Sequence, residues 1–460
     1  MVLIAVLLIL LAVTGSSSSF VWLMNQQQTR AGQHLRAVAA LRAAEAGVHR
    51  ALSILETVAP DRQSPGRTWR AAGYAEEIGV GPLRGRFTLA LADESDGAVI
   101  VSSEGEVAGA TRRVRARVYL ASPALLAALY GASVVRLEKP PAVTFILPYG
   151  AGIGDRPWIH IAAGREIWFA TSYVSINSPT VAFGAGAGPV DTPADAGGAT
   201  AVTRPGPVRL LLARGAELTL DESRQPVDIQ QLRAMGVYVE GVVLRADALP
   251  RLPEVDRTFY QTLAAGNRRN AHVNEAAGRY LGDGALERKR DSLYTRDEFE
   301  RLLSFFRSGL LPSRLEGVIY VKGVVELSVG QRLEIAEGAL VTESGVHLNQ
   351  AATLEITHSP ATRTLPGLLV TGTIGSLIVT EGARLRVHGL VYATRAFDVR
   401  EGARVDIVGA VLNSDAELSF RNLAATVVIR YDPAVLGTPG LRIPDDAPVV
   451  AWVAAWEELR

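Results

Sequence analysis

The chain has 460 residues, of which 48% are hydrophobic and 20% are charged, and its 47 basic side chains balance its 47 acidic ones. This length exceeds one ordinary hydrophobic core, so we expect two or three structural units. Without a net positive charge there is no basic field to attract nucleic acid, which argues against a general nucleic-acid binder. The chain has no cysteine, which excludes disulfides and thiolate sites, and its 44 glycines among many aliphatic residues favour short strands and tight turns.

The N-terminal stretch is strongly apolar. Residues 2–13 form an unbroken apolar run, which resumes over residues 20–24 after a threonine, a glycine and four serines. A helix of this length, rising about 1.5 Å per residue, crosses the hydrocarbon core of a bilayer. The predicted membrane anchor consists of Leu7, Leu11, Phe20 and Trp22. A signal peptide cleaved near the serines is the alternative.

Apolar residues continue at helical spacing beyond the anchor, from Leu35 to Leu55, and no proline interrupts them before Pro60. The sequence therefore predicts one helix over residues 1–58, transmembrane at first and amphipathic afterwards. Such a rod resembles the first helix of type IV pilins. More narrowly, Ala43-Ala44-Glu45-Ala46-Gly47 is similar to the AAEAG stretch of PilX-type minor pilins and related pilus-assembly proteins. The resemblance implies a membrane-anchored subunit of a surface filament.

Residues 59–122 contain three segments in which apolar and polar residues alternate: Phe87 to Leu91, Val99 to Ser103 and Val114 to Leu120. This pattern predicts an antiparallel meander. A helix followed by a meander is the order of elements in a pilin headpiece, so the resemblance covers about the first 120 residues. The last segment places Arg113, Arg115 and Arg117 on one face. We interpret this row as a solvated face, with a contact to a neighbouring subunit or an acidic polymer as the alternative.

A direct repeat is the strongest internal signal. Val379 to Val391 is followed twenty residues later by the similar Val399 to Val411. This spacing is typical of one turn of a β-solenoid. Stacked turns place Leu385 beside Val405 and Val387 beside Ile407 inside the solenoid. Outside, Arg386 and Asp406 are predicted to form a pair between turns.

The pattern predicts a mainly β protein: a pilin-like helix and meander followed by a single-stranded β-helix with a helical insertion. The predicted solenoid covers residues 123–252 and 313–430. Between them, at 253–312, large apolar residues recur at helical spacing and predict helices that cover a side or an end of the solenoid. Residues 431–460 are predicted to be a C-terminal tail, whose sequence resembles that of pilus-associated β-helix proteins that also begin with a PilX-like helix.

No stretch of the sequence indicates catalysis. The glycine-rich stretches at 150–154 and 184–188 lack the Lys-Ser/Thr of a phosphate loop, and the seven histidines form no metal-spaced pair. We therefore predict no catalytic, cofactor or metal site. Three aromatic residues on neighbouring segments are candidates for stacking on sugar rings at an exposed surface: Trp158, Trp168 and Tyr173.

The predicted function is that of a membrane-anchored structural component of a type IV pilus or related filament, with a tip or adhesion role. It would lie in the inner membrane as a single-pass protein, with its body in the periplasm or on the cell surface. Its predicted partners are the membrane, other pilins or pilus-assembly proteins and surface polysaccharide, but not nucleic acid. A polysaccharide-active β-helix enzyme is one alternative. A self-polymerising solenoid of the bactofilin type is another, favoured by the arginines that follow the span.

Overall fold

The computed structural model describes residues 2–57, 74–94, 98–137, 142–145, 159–169, 208–220, 225–226, 228, 230–231, 241–373, 375–414, 417–420, 425–444 and 447–459. The side chains of residues 2–13, 18, 142–145, 159, 160, 169, 208, 209, 220, 225 and 241–245 lie outside this description. The chain divides into two compact units: unit 1 comprises Met1–Tyr119 and Ala451–Arg460, and unit 2 comprises Leu120–Val450.

The described helices are α1 (Val2–Thr57), α2 (Arg257–Gly266), α3 (Ala271–Leu281), α4 (Gly284–Arg288) and α5 (Arg296–Arg307), with 3-10 turns at Pro123–Leu126 and Pro433–Gly437. The strands of the N-terminal part are β1 (Tyr74–Val80), β2 (Leu83–Asp93), β3 (Val99–Val107), β4 (Ala110–Ala121), β5 (Ala127–Gly131), β6 (Val134–Leu137), β7 (Ala142–Phe145), β8 (Ile159–Ala163), β9 (Glu166–Phe169), β10 (Val208–Ala213), β11 (Glu217–Leu220), β12 (Gln225–Pro226) and β13 (Gly241–Ala246).

The remaining strands are β14 (Glu254–Val255), β15 (Leu293–Thr295), β16 (Arg314–Glu316), β17 (Ile319–Lys322), β18 (Val324–Leu327), β19 (Arg332–Ala336), β20 (Leu340–Thr342), β21 (Gly345–Leu348), β22 (Thr353–Thr357), β23 (Leu368–Val370), β24 (Ser376–Val379), β25 (Arg384–Ala393), β26 (Phe397–Val399), β27 (Arg404–Asn413), β28 (Glu417–Phe420), β29 (Thr426–Tyr431), β30 (Leu441–Arg442) and β31 (Val450–Leu459). The protein is thus mainly β, with one long N-terminal helix.

Unit 1 consists of α1 and a five-stranded sheet in the order β1-β2-β3-β4-β31. The three segments predicted as a meander lie in β2, β3 and β4, which pair antiparallel. The predicted C-terminal tail is wrong in part, because β31 is the fifth strand of this sheet. The Ala451 amide donates a hydrogen bond to Glu56 of α1 at 2.9 Å, and the Trp452 ring stacks on Tyr119 with centroids 6.0 Å apart.

The C-terminal half of α1 packs on the sheet through small residues. Its buried residues are Ala39, Ala40, Ala43, Ala44, Val48, Ala51 and Leu55. A methyl group on Gly105 of β3 would overlap the backbone of Ala40 and Ala44, and one on Gly47 would overlap Ser103. The alanines and glycines that resemble the AAEAG stretch therefore have a physical role, since they let the helix and the sheet backbone approach closely.

Unit 2 is built from three parallel ladders. The first ladder runs β16-β19-β22-β25-β27-β29-β7. The second runs β15-β17-β20-β23-β25-β27-β5-β8-β10-β13. The third runs β18-β21-β24-β26-β28-β6-β9-β11 and ends on the antiparallel β12. The long strands β25 and β27 belong to both the first and the second ladder, so these two ladders share one continuous backbone.

The register of the direct repeat is confirmed. Leu385 pairs with Val405 and Val387 with Ile407 across β25 and β27, and all four side chains are buried. Arg386 lies beside Asp406 in this register as predicted. The predicted ion pair is different, however: Arg386 binds Glu355 at 3.1 Å on one side, and Asp406 binds Arg430 at 2.6 Å on the other.

The order of the strands in the ladders does not follow the chain. The last strands of the group β15–β29 pair with the first strands of the group β5–β13: β27 with β5, β28 with β6 and β29 with β7. We call these three pairings the seam. From the seam, the strands that follow β5 extend along the ladders to β13, whereas the strands from β15 onwards begin at the opposite ends of the ladders. Unit 2 therefore starts and ends at its seam, as an insertion between β4 and β31, which are neighbours in the sheet of unit 1.

Four helices lie in the segment 253–312, where helical spacing predicted them. Asp256 accepts a hydrogen bond from the Phe259 amide at the start of α2, and Thr295 and Glu298 form a capping box at the start of α5. Helices α2 and α5 contact β15 and β17, and α5 also contacts β18. Since β15 and β18 are terminal strands of their ladders, the helices pack near one end of the stack.

Candidate functional site

The N-terminal half of α1 exposes large apolar side chains. Phe20 is 63% exposed and Trp22 is 62% exposed, and the three other residues of this run, Val21, Leu23 and Met24, are also exposed. Successive helical residues point about 100° apart, so five consecutive apolar residues surround the whole helix. A helix that is apolar on all sides requires an apolar environment on all sides, which the described residues of unit 1 do not supply.

The exposed apolar surface extends further than the sequence indicated. Leu35 is 65% exposed and Val38 is 41% exposed, although both belong to the apolar pattern at helical spacing. Burial against the sheet begins only at Ala39. The spacing identified an apolar stripe correctly, but it could not indicate where along the helix the sheet begins.

Small polar residues precede the exposed run. The Ser19 hydroxyl donates a hydrogen bond to the carbonyl oxygen of Gly15 at 2.9 Å, so its polar group is satisfied within the helix. Gly15, Ser16 and Ser19 lie beside Phe20, Trp22 and Leu23 along one shallow depression. A small residue at each end of a four-residue interval allows close approach of a second helix in an apolar medium.

Within the described residues, no helix is long and apolar enough to cross a membrane. The apolar run at 2–13 has a described helical backbone but no described side chains, so the anchor residues Leu7 and Leu11 lie outside that finding. The side chains of the other two anchor residues, Phe20 and Trp22, are described, and both are exposed.

The opposite face of the unit 1 sheet carries the predicted arginine row. Arg113 binds Glu104 at 2.6 Å, and Arg117 binds Glu94 at 2.9 Å. The Arg117 guanidinium also lies 5.7 Å from the centre of the Tyr119 ring. Arg115 is exposed between them. Two of the three charges are therefore offset by carboxylates on neighbouring strands or loops, in keeping with a solvated face.

Of the three candidate sugar-stacking aromatics, Trp168 is the one that lies among the described residues. Trp168 is only 8% exposed, and the Arg136 guanidinium lies 4.3 Å from the centre of its ring. Trp168 therefore lies in the core, and its ring is covered rather than open to a sugar. Trp158 and Tyr173 lie outside the described residues.

Two histidines of unit 2, His358 and His388, lie near each other beside the first ladder and are partly buried. The His358 Nε2 lies 2.8 Å from the carbonyl oxygen of Gly338, and burial lowers the pKa of this imidazole to about 4. Burial also lowers the pKa of His388, which is half-buried. In the part of the chain that the structure describes, no three His, Asp or Glu residues converge to hold a metal ion.

A corner of unit 2 contains polar residues that the sequence did not single out. Glu381 and Glu401, each just before a glycine of the direct repeat, line one groove together with the amide side chains of Asn349 and Gln350. The direct repeat could have indicated them, because its two copies pair in parallel and place Glu381 and Glu401 at equivalent positions.

The chain is similar to solved structures, but it matches neither a family model nor a curated protein. No family model matches the chain. No curated protein matches it either. Among solved structures, the chain is similar to the competence-associated pilin ComZ from Thermus thermophilus, with 15% sequence identity, 92% of this chain and 97% of that chain covered, and a TM-score of 0.25.

Proposed function

We propose that this chain is a membrane-anchored, pilin-like structural subunit of a type IV pilus or a related surface filament. The observation that carries the proposal is the division of α1: its C-terminal half packs on an antiparallel sheet, whereas residues 20–24 expose apolar side chains around the circumference of the helix. A bilayer before assembly and neighbouring helices of other pilins after it are environments that cover such a surface. The resemblance of residues 43–47 to PilX-type proteins supports the same assignment.

We further propose that the three parallel ladders of unit 2 wind as a β-helix. Strands β25 and β27 each pass from the first ladder into the second, and third-ladder strands β26 and β28 follow them in the chain. This is the connectivity of successive turns of a solenoid. Inserted between two strands of the headpiece, the β-helix would be displayed by the filament as a tip or adhesion module, in the periplasm or on the cell surface.

The packed helices at β15 and β18 count against the self-polymerising alternative. End-to-end stacking of solenoids needs a bare terminal turn, and here α2 and α5 contact the terminal strands. The role proposed is structural, with no catalytic residue and no cofactor.

The test is incorporation into filaments in the source bacterium. The double variant Phe20→Glu/Trp22→Glu introduces charges into the exposed apolar run without touching the packed half of α1. We expect it to be lost from sheared surface filaments while its sheet remains folded. Gln26→Glu/Gln28→Glu, which changes charge on the neighbouring polar turn, is the matched control. Equal recovery of both variants in filaments would contradict the proposal.

A further inference from the structure

At the seam, strands that are neighbours in the ladders are not successive in the chain. Strand β5 lies beside β27 in the second ladder, but in the chain it follows β4 of unit 1. Backbone pairing and side-chain packing hold the seam together, as where Val411 pairs with Leu129 and Leu418 with Val135. All four side chains are buried. The two groups of strands can therefore separate here without either group unwinding.

The segment that connects the two groups runs along the outside of the second ladder. It leaves β13 at one end of this ladder and reaches α2, which contacts β15 and β17 at the other end. We call residues 247–256 of this segment the strap. The carbonyl oxygen of Pro250 binds to β5, and Arg257, just after the strap, donates a hydrogen bond to the carbonyl oxygen of Thr371 after β23. Since β5 and β23 lie on opposite sides of the seam, the strap crosses it.

Two buried hydroxyl groups attach the strap to the segment that enters unit 2. The Tyr130 hydroxyl of β5 donates a hydrogen bond to the carbonyl oxygen of Pro250 at 2.7 Å. The Ser122 hydroxyl donates one to the carbonyl oxygen of Arg251 at 2.7 Å. Tyr130 is 3% exposed, and Ser122 is completely buried. Because a buried hydroxyl without an acceptor costs free energy, these bonds oppose movement of the strap away from β5.

The end of the strap is attached to the segment that leaves unit 2. Glu254 and Val255 form β14, which pairs with β30. The Asp256 amide donates a hydrogen bond to the carbonyl oxygen of Gly440 at 2.8 Å, and the Asp256 carboxylate binds Arg442 at 2.5 Å. Strand β30 follows β29, which lies at the seam. The strap thus joins the entering segment to the leaving segment and bridges the seam from outside.

We propose that the strap is a latch for the seam, and that unit 2 opens there in one step in which strands β5–β13 separate from strands β15–β29. The seam has pairings in all three ladders, and these separate together because the strands within each group stay hydrogen-bonded to one another. Opening exposes the edges of β5 and β27, which are templates for pairing with another chain. The strap keeps these edges covered.

Hydrogen exchange of the full chain in detergent micelles, followed by mass spectrometry, measures opening at the seam. Tyr130→Phe removes the hydroxyl that binds Pro250 and keeps the aromatic ring. We expect amide exchange in β5, β6, β27 and β28 to become about fivefold faster, as for the loss of one net hydrogen bond. Exchange in β19 and β22, which belong to the first ladder away from the seam, should stay at the native rate.

Two comparisons separate opening at the seam from a general loss of stability. Tyr320→Phe removes a buried hydroxyl four strands from β27 in the second ladder, and it should leave exchange at the seam unchanged. Adding Val134→Cys/Glu417→Cys to Tyr130→Phe allows a disulfide between register partners of β6 and β28. We expect this disulfide to return exchange at the seam to the native rate, and its reduction to restore fast exchange.

Three results overturn the proposal. The first is that Tyr130→Phe leaves exchange at the seam unchanged. The second is that it accelerates exchange in β19 and β22 as much as at the seam, because the hydroxyl would then stabilise unit 2 as a whole. The third is that exchange at the seam stays fast with the disulfide formed, because the strands would then open one by one and not by separation of the two groups.

Discussion

Protonation of His358 is expected to destabilise unit 2. Its Nε2 lies 2.8 Å from the carbonyl oxygen of Gly338, and burial lowers the pKa of the imidazole from 6.5 to about 4. The neighbouring His388 further opposes a positive charge at this position, whereas Asp432 favours it. The folded state therefore holds His358 as the neutral imidazole.

The sign of the effect follows from the direction of the shift. Above pH 6.5 the group is neutral in both states and adds no pH dependence. As the pH falls, the unfolded chain takes up the proton first, so the free energy of unfolding decreases until the folded state is protonated near pH 4. A shift from 6.5 to about 4 corresponds to a loss of about 3 kcal/mol across this window, at 1.36 kcal/mol per pKa unit.

Urea unfolding followed by far-UV circular dichroism across this window measures the effect. His358→Gln keeps an N–H donor for Gly338 but removes the titrating group, so its unfolding free energy should depend less on pH, by about 3 kcal/mol over the window. Hydrogen bonds lower the pKa values of Asp256 and Asp283, so these groups add the same pH dependence to the native chain and to His358→Gln. The exposed His272, changed to Gln, is the control. Parallel pH profiles for the native chain and His358→Gln would refute the reasoning.

Three further variants examine the packing of each unit. Gly105→Ala places a methyl group against the backbone of α1 and should destabilise unit 1 by about 1–3 kcal/mol in urea unfolding. Ser103→Ala removes a buried hydroxyl that has no hydrogen-bond partner among the described residues, and should stabilise unit 1 by about 1 kcal/mol. Val134→Cys/Glu417→Cys joins register partners across the seam and should form a disulfide under mild oxidation, detected by gel mobility.

Each of these has its own control. Gly79→Ala meets no neighbouring atom and should leave the stability nearly unchanged, so equal losses at both glycines would contradict the close contact at Gly105. A loss of stability in Ser103→Ala would mean that the hydroxyl is bonded after all. For the seam, Val134→Cys with Ala396→Cys places the cysteines two strands apart, beyond disulfide reach. Rapid crosslinking of that pair would contradict the strand order.

Local repetition explains what the sequence could predict. The Gly-Ala corners of the direct repeat recur at one interval, so they imply both the stacking of β25 on β27 and the inward direction of Leu385 and Val405. The helices between 253 and 312 are equally local, since their apolar residues recur within a few turns. The AAEAG stretch resembles that of PilX-type proteins, and its contact with Gly105 gives the physical reason for its small residues.

Long-range pairing explains what the sequence could not predict. Val411 pairs with Leu129 at the seam, and β31 returns to the sheet of unit 1 after the whole of unit 2. No periodicity connects partners so far apart in the chain. Trp168 lies beside Arg136 of the neighbouring strand β6, a pairing that the sequence pattern also does not indicate.

We propose that a pilin-like anchor holds unit 2 outside the cytoplasm. To test this, protease is added to intact spheroplasts and unit 2 is followed with an antibody, with a cytoplasmic protein as the control for lysis. We predict that unit 2 is digested while the cytoplasmic protein survives. Complete protection of unit 2 until the membrane is permeabilised would place it in the cytoplasm and contradict the account.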